Sequence, residues 1–439
     1  MTGKIKHIGI EQTQLGSTLK RRDFIRIAAG TSLASSFPFA APAIAAGRAV
    51  KVGYVTPRTG PLAAFAEADN FVISNARQLF AKGIDVGGQL RPLEIIVKDS
   101  QSSPNRAAAV ATDLILKDKV DLMLVASTPE TTNPVADQCE LHGIPCISTV
   151  APWQPWFFTR GGKPDVGFQW TYHFFWGLED IIGVFASMWS SVKTSKIVGG
   201  IWPNDGDGNA WGDAKIGFPP ILQKAGFTVI DPGRYPNLAG DFGAQISAFK
   251  KAGVEIVTGV PIPPDFTTFW TQAGQQNFRP HVATVGKALL FPVAVEALGD
   301  RGEGVSAEVW WSPAHPFRSS LTNQSAAELC AAYEKSTNRQ WTQPIGFSHA
   351  LFEIVASVLK RVQDLDKKTS IRDAIAATKL DTVVGPVAWG SGPVKNVAKT
   401  PLVGGQWRKG GRFKYELLIV DNSAAPNIRT QGALELIKT

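Results

Sequence analysis

The chain has 439 residues, 44% hydrophobic and 19% charged, with a formal net charge of +8 at pH 7. That composition is globular and excludes a disordered or fibrous chain. It gives no nucleic-acid footprint either: residues 1–46 hold Lys4, Lys6, Lys20, Arg21, Arg22 and Arg26 against Glu11 and Asp23, so half of the excess charge sits there and no Lys/Arg-dense stripe remains elsewhere.

Residues 1–45 read as an export signal. Arg21 and Arg22 open a twin-arginine stretch, Ile27 to Ala46 is mildly apolar, and Ala43-Ile44-Ala45 has the small-residue pattern of a cleavage site. The apolar part is interrupted by Ser35, Ser36, Pro38 and Pro42, which opposes a membrane anchor. A periplasmic location is expected.

The remaining residues are too many for one small core and fit two lobes. Val50, Val52, Tyr54 and Val55 predict a strand, broken by Pro57, Gly60 and Pro61 and followed by a helix over 63–82. Next come a strand at 93–99, a helix opened by Pro104, a strand at 122–126, a helix ending at His142 and a strand at 145–149. The rhythm restarts with helices over 176–193, 209–225, 242–252 and 265–275, alternating with strands over 196–202, 228–235, 256–260 and 281–284. Two such series predict two α/β lobes, each a parallel sheet flanked by helices.

Between the series lies Val150 to Trp176, with ten aromatics including Trp153, Trp156, Tyr172 and Trp176. Two readings stand: a ligand wall at an interlobe cleft, favoured for Trp153 and Trp156 because they follow a strand's carboxyl end, or packing within or between lobes. Cys139 and Cys146 flank a turn and are either bridged or two buried thiols; no cysteine has metal-ligand spacing. Asp205-Gly206-Asp207-Gly208-Asn209 imitates the start of a calcium loop, but Ala210 and Ile216 stand where glycine and glutamate belong, so it reads as a polar loop whose Asp205 or Asp207 can face the cleft. No nucleophile elbow, zinc-protease helix or phosphate loop is present, and His315 and His349 are the histidines expected nearest the cleft. Neither catalysis nor a cofactor is expected.

Val50-Lys51-Val52-Gly53 with Thr59-Gly60-Pro61-Leu62, His142-Gly143-Ile144-Pro145 and Asp381-Thr382-Val383-Val384-Gly385-Pro386-Val387, in this order and spacing, resemble the type I periplasmic solute-binding proteins of ABC importers, specifically the branched-chain amino acid and amide group. The resemblance implies a two-lobed Venus flytrap with three hinge crossings. Lobe 1 is expected to hold residues 46–170 and 311–400, and lobe 2 residues 171–310 and 401–439. It also implies a monomer that closes on a small solute and presents it to permease subunits. A sensory module for a membrane receptor is the other role for the same fold.

In that family the ligand's carboxylate is held by loops that fall here on Thr128 to Thr132 and Val150 to Trp153. Thr131 and Thr132 are then candidate carboxylate ligands, or ordinary first-turn residues of a helix, with Phe65 and Trp211 as covering aromatics. The family's acidic anchor for an ammonium is replaced by Val285-Gly286-Lys287-Ala288. Two like charges at ~4 Å cost on the order of 4 kcal/mol at an effective dielectric of 20, so Lys287, if it faces the site rather than solvent, opposes an amine. The expected solute is a small carboxylate with an aromatic or bulky apolar part; a branched-chain amino acid or amide is the alternative.

Overall fold

Three fully buried residues of the first strand, Val50–Thr56, set the centre of lobe 1: Val52 and Tyr54 face one helical layer and Val55 the other. Between them Gly53 lets the second layer approach, since a Cβ there would sit 3.0 Å from the Met123 sulfur and 3.2 Å from Leu114. A strand packed on both faces belongs to a parallel sheet, and burying each large side chain contributes about 1.5–3 kcal/mol. The computed structural model describes residues 47–438; the export-signal reading of residues 1–45 lies outside the described residues.

The first sheet has six strands in the order Val397–Ala398, Thr171–Phe174, Cys146–Thr149, Leu122–Ala126, Val50–Thr56, Leu93–Asp99, all parallel. Pro104–Leu116 and Pro129–His142 cover one face, and Asp69–Leu79 and Pro344–Arg361 the other. Local signals explain the boundaries. Ser103 caps Arg106 N–H, Pro129 opens its helix, and Gly143 ends it with φ of 66°.

The second sheet has eight strands. Ile197–Pro203, Ile256–Gly259, Val282–Val285 and Ser306–Val309 run parallel, whereas Val403–Lys409 and Tyr415–Asp421 are antiparallel additions. This sheet is therefore mixed, because the last two strands form a hairpin whose short loop cannot make a parallel crossover. The chain passes between the sheets three times: after Thr171–Phe174, after Ser306–Val309, and between Val397–Ala398 and Val403–Lys409.

Several expectations need correcting. The boundary at 170/171 falls too early, since Thr171–Phe174 pairs with Cys146–Thr149 in the first sheet. The helix expected over 63–82 is a 3-10 turn, Ala63–Ala66, and then Asp69–Leu79. The helix over 209–225 splits into Gly206–Trp211 and Phe218–Lys224, interrupted at Gly212 and restarted at Phe218-Pro219-Pro220. The strand over 228–235 is cut by Pro232-Gly233 into Thr228–Ile230 and Arg234–Tyr235. Cys139 and Cys146 are buried free thiols, so no bridge closes that turn.

Candidate functional site

The carboxyl ends of the two sheets face each other across a narrow pocket. Lobe 1 supplies Phe65 from the 3-10 turn after its first strand, Thr128 at the cap of Pro129–His142, and Val150 and Pro152 after Cys146–Thr149. Val150 adopts φ of 73°, a left-handed conformation that costs a β-branched residue roughly 1–3 kcal/mol and is held only by its surroundings. Phe175 and Trp176, on the first crossing, form the back wall, their rings 4.7 Å apart. Lobe 2 supplies Asp207 and Trp211 from the short helix after Ile197–Pro203, Lys287 after Val282–Val285, and Glu308 and Trp310 from the end of the next strand. Trp211 is fixed by stacking on Phe218 at 4.8 Å, and Trp310 sits edge-on to Phe175 at 5.3 Å.

The cavity is thus mostly aromatic, with polar groups gathered on the lobe 2 side. The Lys287 ammonium lies 2.9 Å from Asp207, 3.2 Å from Asp205 and 3.8 Å from Glu130, and only 3% of its side chain is exposed. Burial pulls an ammonium's pKa down, but these three carboxylates outweigh that and hold Lys287 well above its ordinary value. The carboxylates do not share one fate. Asp205 also accepts from Gly208 N–H at 2.7 Å and Asn237 at 3.1 Å; burial opposes its ionisation, yet Lys287 and these donors keep it below the usual range. Asp207 is pushed up to about 7 by burial, with Glu130 and Asp205 adding to it and Lys287 opposing. Glu308, buried against Trp211 and Gly286, is pushed up to about 8 chiefly by burial.

Several buried polar atoms of the lining residues have no protein partner: Asp207 Oδ1, Glu308 Oε2, the Thr128 hydroxyl and the indole N–H groups of Trp176, Trp211 and Trp310. Unpaired buried polar atoms cost about 1–3 kcal/mol each, so their concentration around one cavity marks a site built to hydrogen-bond a guest.

Of the residues singled out in the sequence, Phe65, Val150, Asp207, Trp211 and Lys287 line the cavity. The others do not. Thr131 and Thr132 are buried behind Thr128: their N–H groups bond to Thr128 O at 3.2 and 3.0 Å, and the Thr132 hydroxyl donates to Ser127 O at 2.8 Å, so they are first-turn residues with their N–H groups already engaged. Trp156 is stacked on His173 at 4.7 Å beneath the Arg160 guanidinium, in a local core with Trp153, Phe157 and Phe168. Trp153 donates its indole N–H to Glu179 at 3.1 Å, and Tyr172 packs 5.5 Å from Trp389. The two tryptophans turn away from the cavity because Trp153–Phe158 is helical and packs its rings into a local core at the sheet edge, and Tyr172 lies on the strand Thr171–Phe174 of the first sheet. His315 and His349 are likewise buried on Ser312 and Ser319 away from the cavity. Sequence reasoning passed over Glu308 and Trp310, and counted Phe175 and Trp176 among the ten aromatics while favouring Trp153 and Trp156 for the wall. Glu308 carried a signal, a lone acid inside the apolar run Val305 to Trp311.

A pocket at the facing carboxyl ends of two α/β sheets, with the chain crossing between them three times, defines a two-lobed binding protein of type I architecture. The chain belongs to the periplasmic binding protein family, whose model matches residues 49–412. Solved structures similar to it include the leucine-binding protein LivK of Thermotoga maritima, at 17% identity and a TM-score of 0.69 over 85% of this chain and 99% of that one. The substrate-binding protein LivJ of the Streptococcus pneumoniae branched-chain amino acid transporter, in complex with isoleucine, gives 15% identity and a TM-score of 0.67 over 89% and 100%. A solute-binding protein of an ABC transporter from R. palustris, in complex with 4-hydroxybenzoate, gives 18% and 0.68 over 86% and 98%. The family is one of solute-binding proteins, not of enzymes.

Proposed function

We propose that this chain is the extracytoplasmic solute-binding component of an ABC importer, a periplasmic monomer that closes about its three crossings on a small solute and delivers it to permease subunits. The observation that carries the reading is the interlobe pocket walled by Phe65, Phe175, Trp176, Trp211 and Trp310 and edged by unpaired donors. Three indole N–H groups and the Thr128 hydroxyl suit a carboxylate or carbonyl oxygen, and the rings suit a planar or bulky apolar body. A small carboxylate-bearing solute with such a body fits both. The relatives include one holding 4-hydroxybenzoate, a solute of that description, and one holding isoleucine, which has the carboxylate and the apolar body but adds an amine.

A second reading, a branched-chain amino acid or amide, is favoured by the surroundings of Lys287. Its charge is matched by Asp205, Asp207 and Glu130, and Glu308 lies beside them. The repulsion of an amine that Lys287 alone would exert is therefore offset, and Asp207 Oδ1 and Glu308 Oε2 remain as acceptors for an N–H donor.

A thermal-shift screen of residues 46–439 against amino acids, amides and aliphatic and aromatic carboxylates decides between them. A solute at 1,000 times its dissociation constant stabilises by about 4 kcal/mol. Shifts with benzoates and none with leucine or isoleucine support the amine-free acid, the reverse pattern supports the amino acid, and no shift with any small solute counts against a capture role.

A further inference from the structure

Lys287 is paired within its own lobe by Asp205 and Asp207, but its third carboxylate comes from across the cleft. Glu130 stands in the first turn of Pro129–His142, in lobe 1, next to the lining residue Thr128. Its Oε1 accepts the backbone N–H of Gly206 in lobe 2 at 3.0 Å, and its Oε2 approaches Lys287 Nζ at 3.8 Å. The approach is close enough that a Cβ at Gly206 would lie 3.3 Å from both Glu130 Oε1 and Pro129 Cβ. The Glu130 side chain is 17% exposed, so the contact is poorly screened by solvent. A second contact, Phe65 of lobe 1 edge-on to Phe291 of lobe 2 at 4.8 Å, meets beside the same cavity.

We propose that Glu130 is a positioning residue for solute capture, tethering the short helix Gly206–Trp211 and Lys287 of lobe 2 to lobe 1, so that part of the free energy of closure comes from the protein's own cross-cleft bonds. The inference rests on the lobe-closing reading above. Its consequence is that Glu130 sets the open-to-closed ratio before any solute arrives, and through it the apparent affinity, because a ligand's affinity falls with the fraction of competent protein. Asp205 and Asp207 repel Glu130 while Lys287 and the Gly206 N–H attract it, and a hydrogen bond from a backbone amide to a carboxylate supplies the directional part of the balance.

The test labels Leu116→Cys and Ile216→Cys, exposed positions one in each lobe, with a donor and acceptor dye; the three native cysteines are buried. Single-molecule transfer then reads the open-to-closed ratio of the solute-free protein. Losing a charge-assisted hydrogen bond predicts a rise in that ratio of about tenfold or more for Glu130→Ala. Glu130→Gln, which keeps an oxygen for the Gly206 N–H but loses the charge, is expected to fall between. Circular dichroism and the melting temperature establish that both variants fold. Two populations whose ratio is the same with glutamate, glutamine or alanine at 130 overturn the role of Glu130 alone. A single distance that no stabilising solute from the thermal screen moves is evidence against lobe closure itself.

Discussion

Lys287 shows how a residue changes meaning once its neighbours are in place. In sequence it is a lone cation where an acid belongs, and it argues for an anionic solute. In the fold three carboxylates surround it and a fourth, Glu308, lines the same cavity, so the local charge is acidic. The pH dependence follows. Asp207 and Glu308 are held at about 7 and about 8, above their ordinary values, mainly by burial; Asp207 faces Lys287, Asp205, Glu130 and Glu308. A carboxyl whose folded pKa is raised favours the folded state below its unfolded pKa and loses that contribution as pH rises through the folded value. These two groups therefore stabilise less and less between about pH 4 and 8. Asp207→Asn and Glu308→Gln are expected to gain stability relative to the parent at pH 8.5, on the order of 1–3 kcal/mol, and to gain little at pH 5. Urea denaturation at the two pH values measures it, and equal effects at both would contradict the assignment.

Among the elements, the aromatic segment was the least legible. Its composition announced a cluster, and the cluster exists, but ten rings in 27 residues do not say which way each faces. Trp153–Phe158 turned out to be a helix, which turns Trp156 onto His173 and into lobe 1, while the next strand carries Phe175 and Trp176 to the cavity. The strand-and-helix alternation was readable because the first sheet is buried on both faces and leaves long apolar runs. The splits at Gly212 and Pro232 were not anticipated, because local chain breakers were subordinated to periodicity. A pair of variants separates the two kinds of tryptophan. Trp156→Ala is expected to cost about 3–5 kcal/mol in chemical denaturation and to leave solute affinity within about threefold. Trp211→Ala is expected to weaken the solute found in the thermal screen by about tenfold or more. Isothermal titration together with denaturation checks both.

For the molecule as a whole, the family's order of lobe, crossing and return was recognisable from a handful of short motifs, because hinge positions and strand ends constrain sequence more than surfaces do. The precise guest was not, since the cavity is assembled from eight separated chain segments and its electrostatics depend on all of them at once. The three crossings also bear on synthesis. The edge strand of the first sheet, Val397–Ala398, and the closing hairpin of the second, Val403–Lys409 with Tyr415–Asp421, follow every other strand of both sheets in chain order. Neither lobe can finish before the other is nearly made, so nascent chains stalled near residue 395 should be readily cleaved by protease while the released protein is not. Any partner that holds the growing chain must release it only after the closing hairpin has been made.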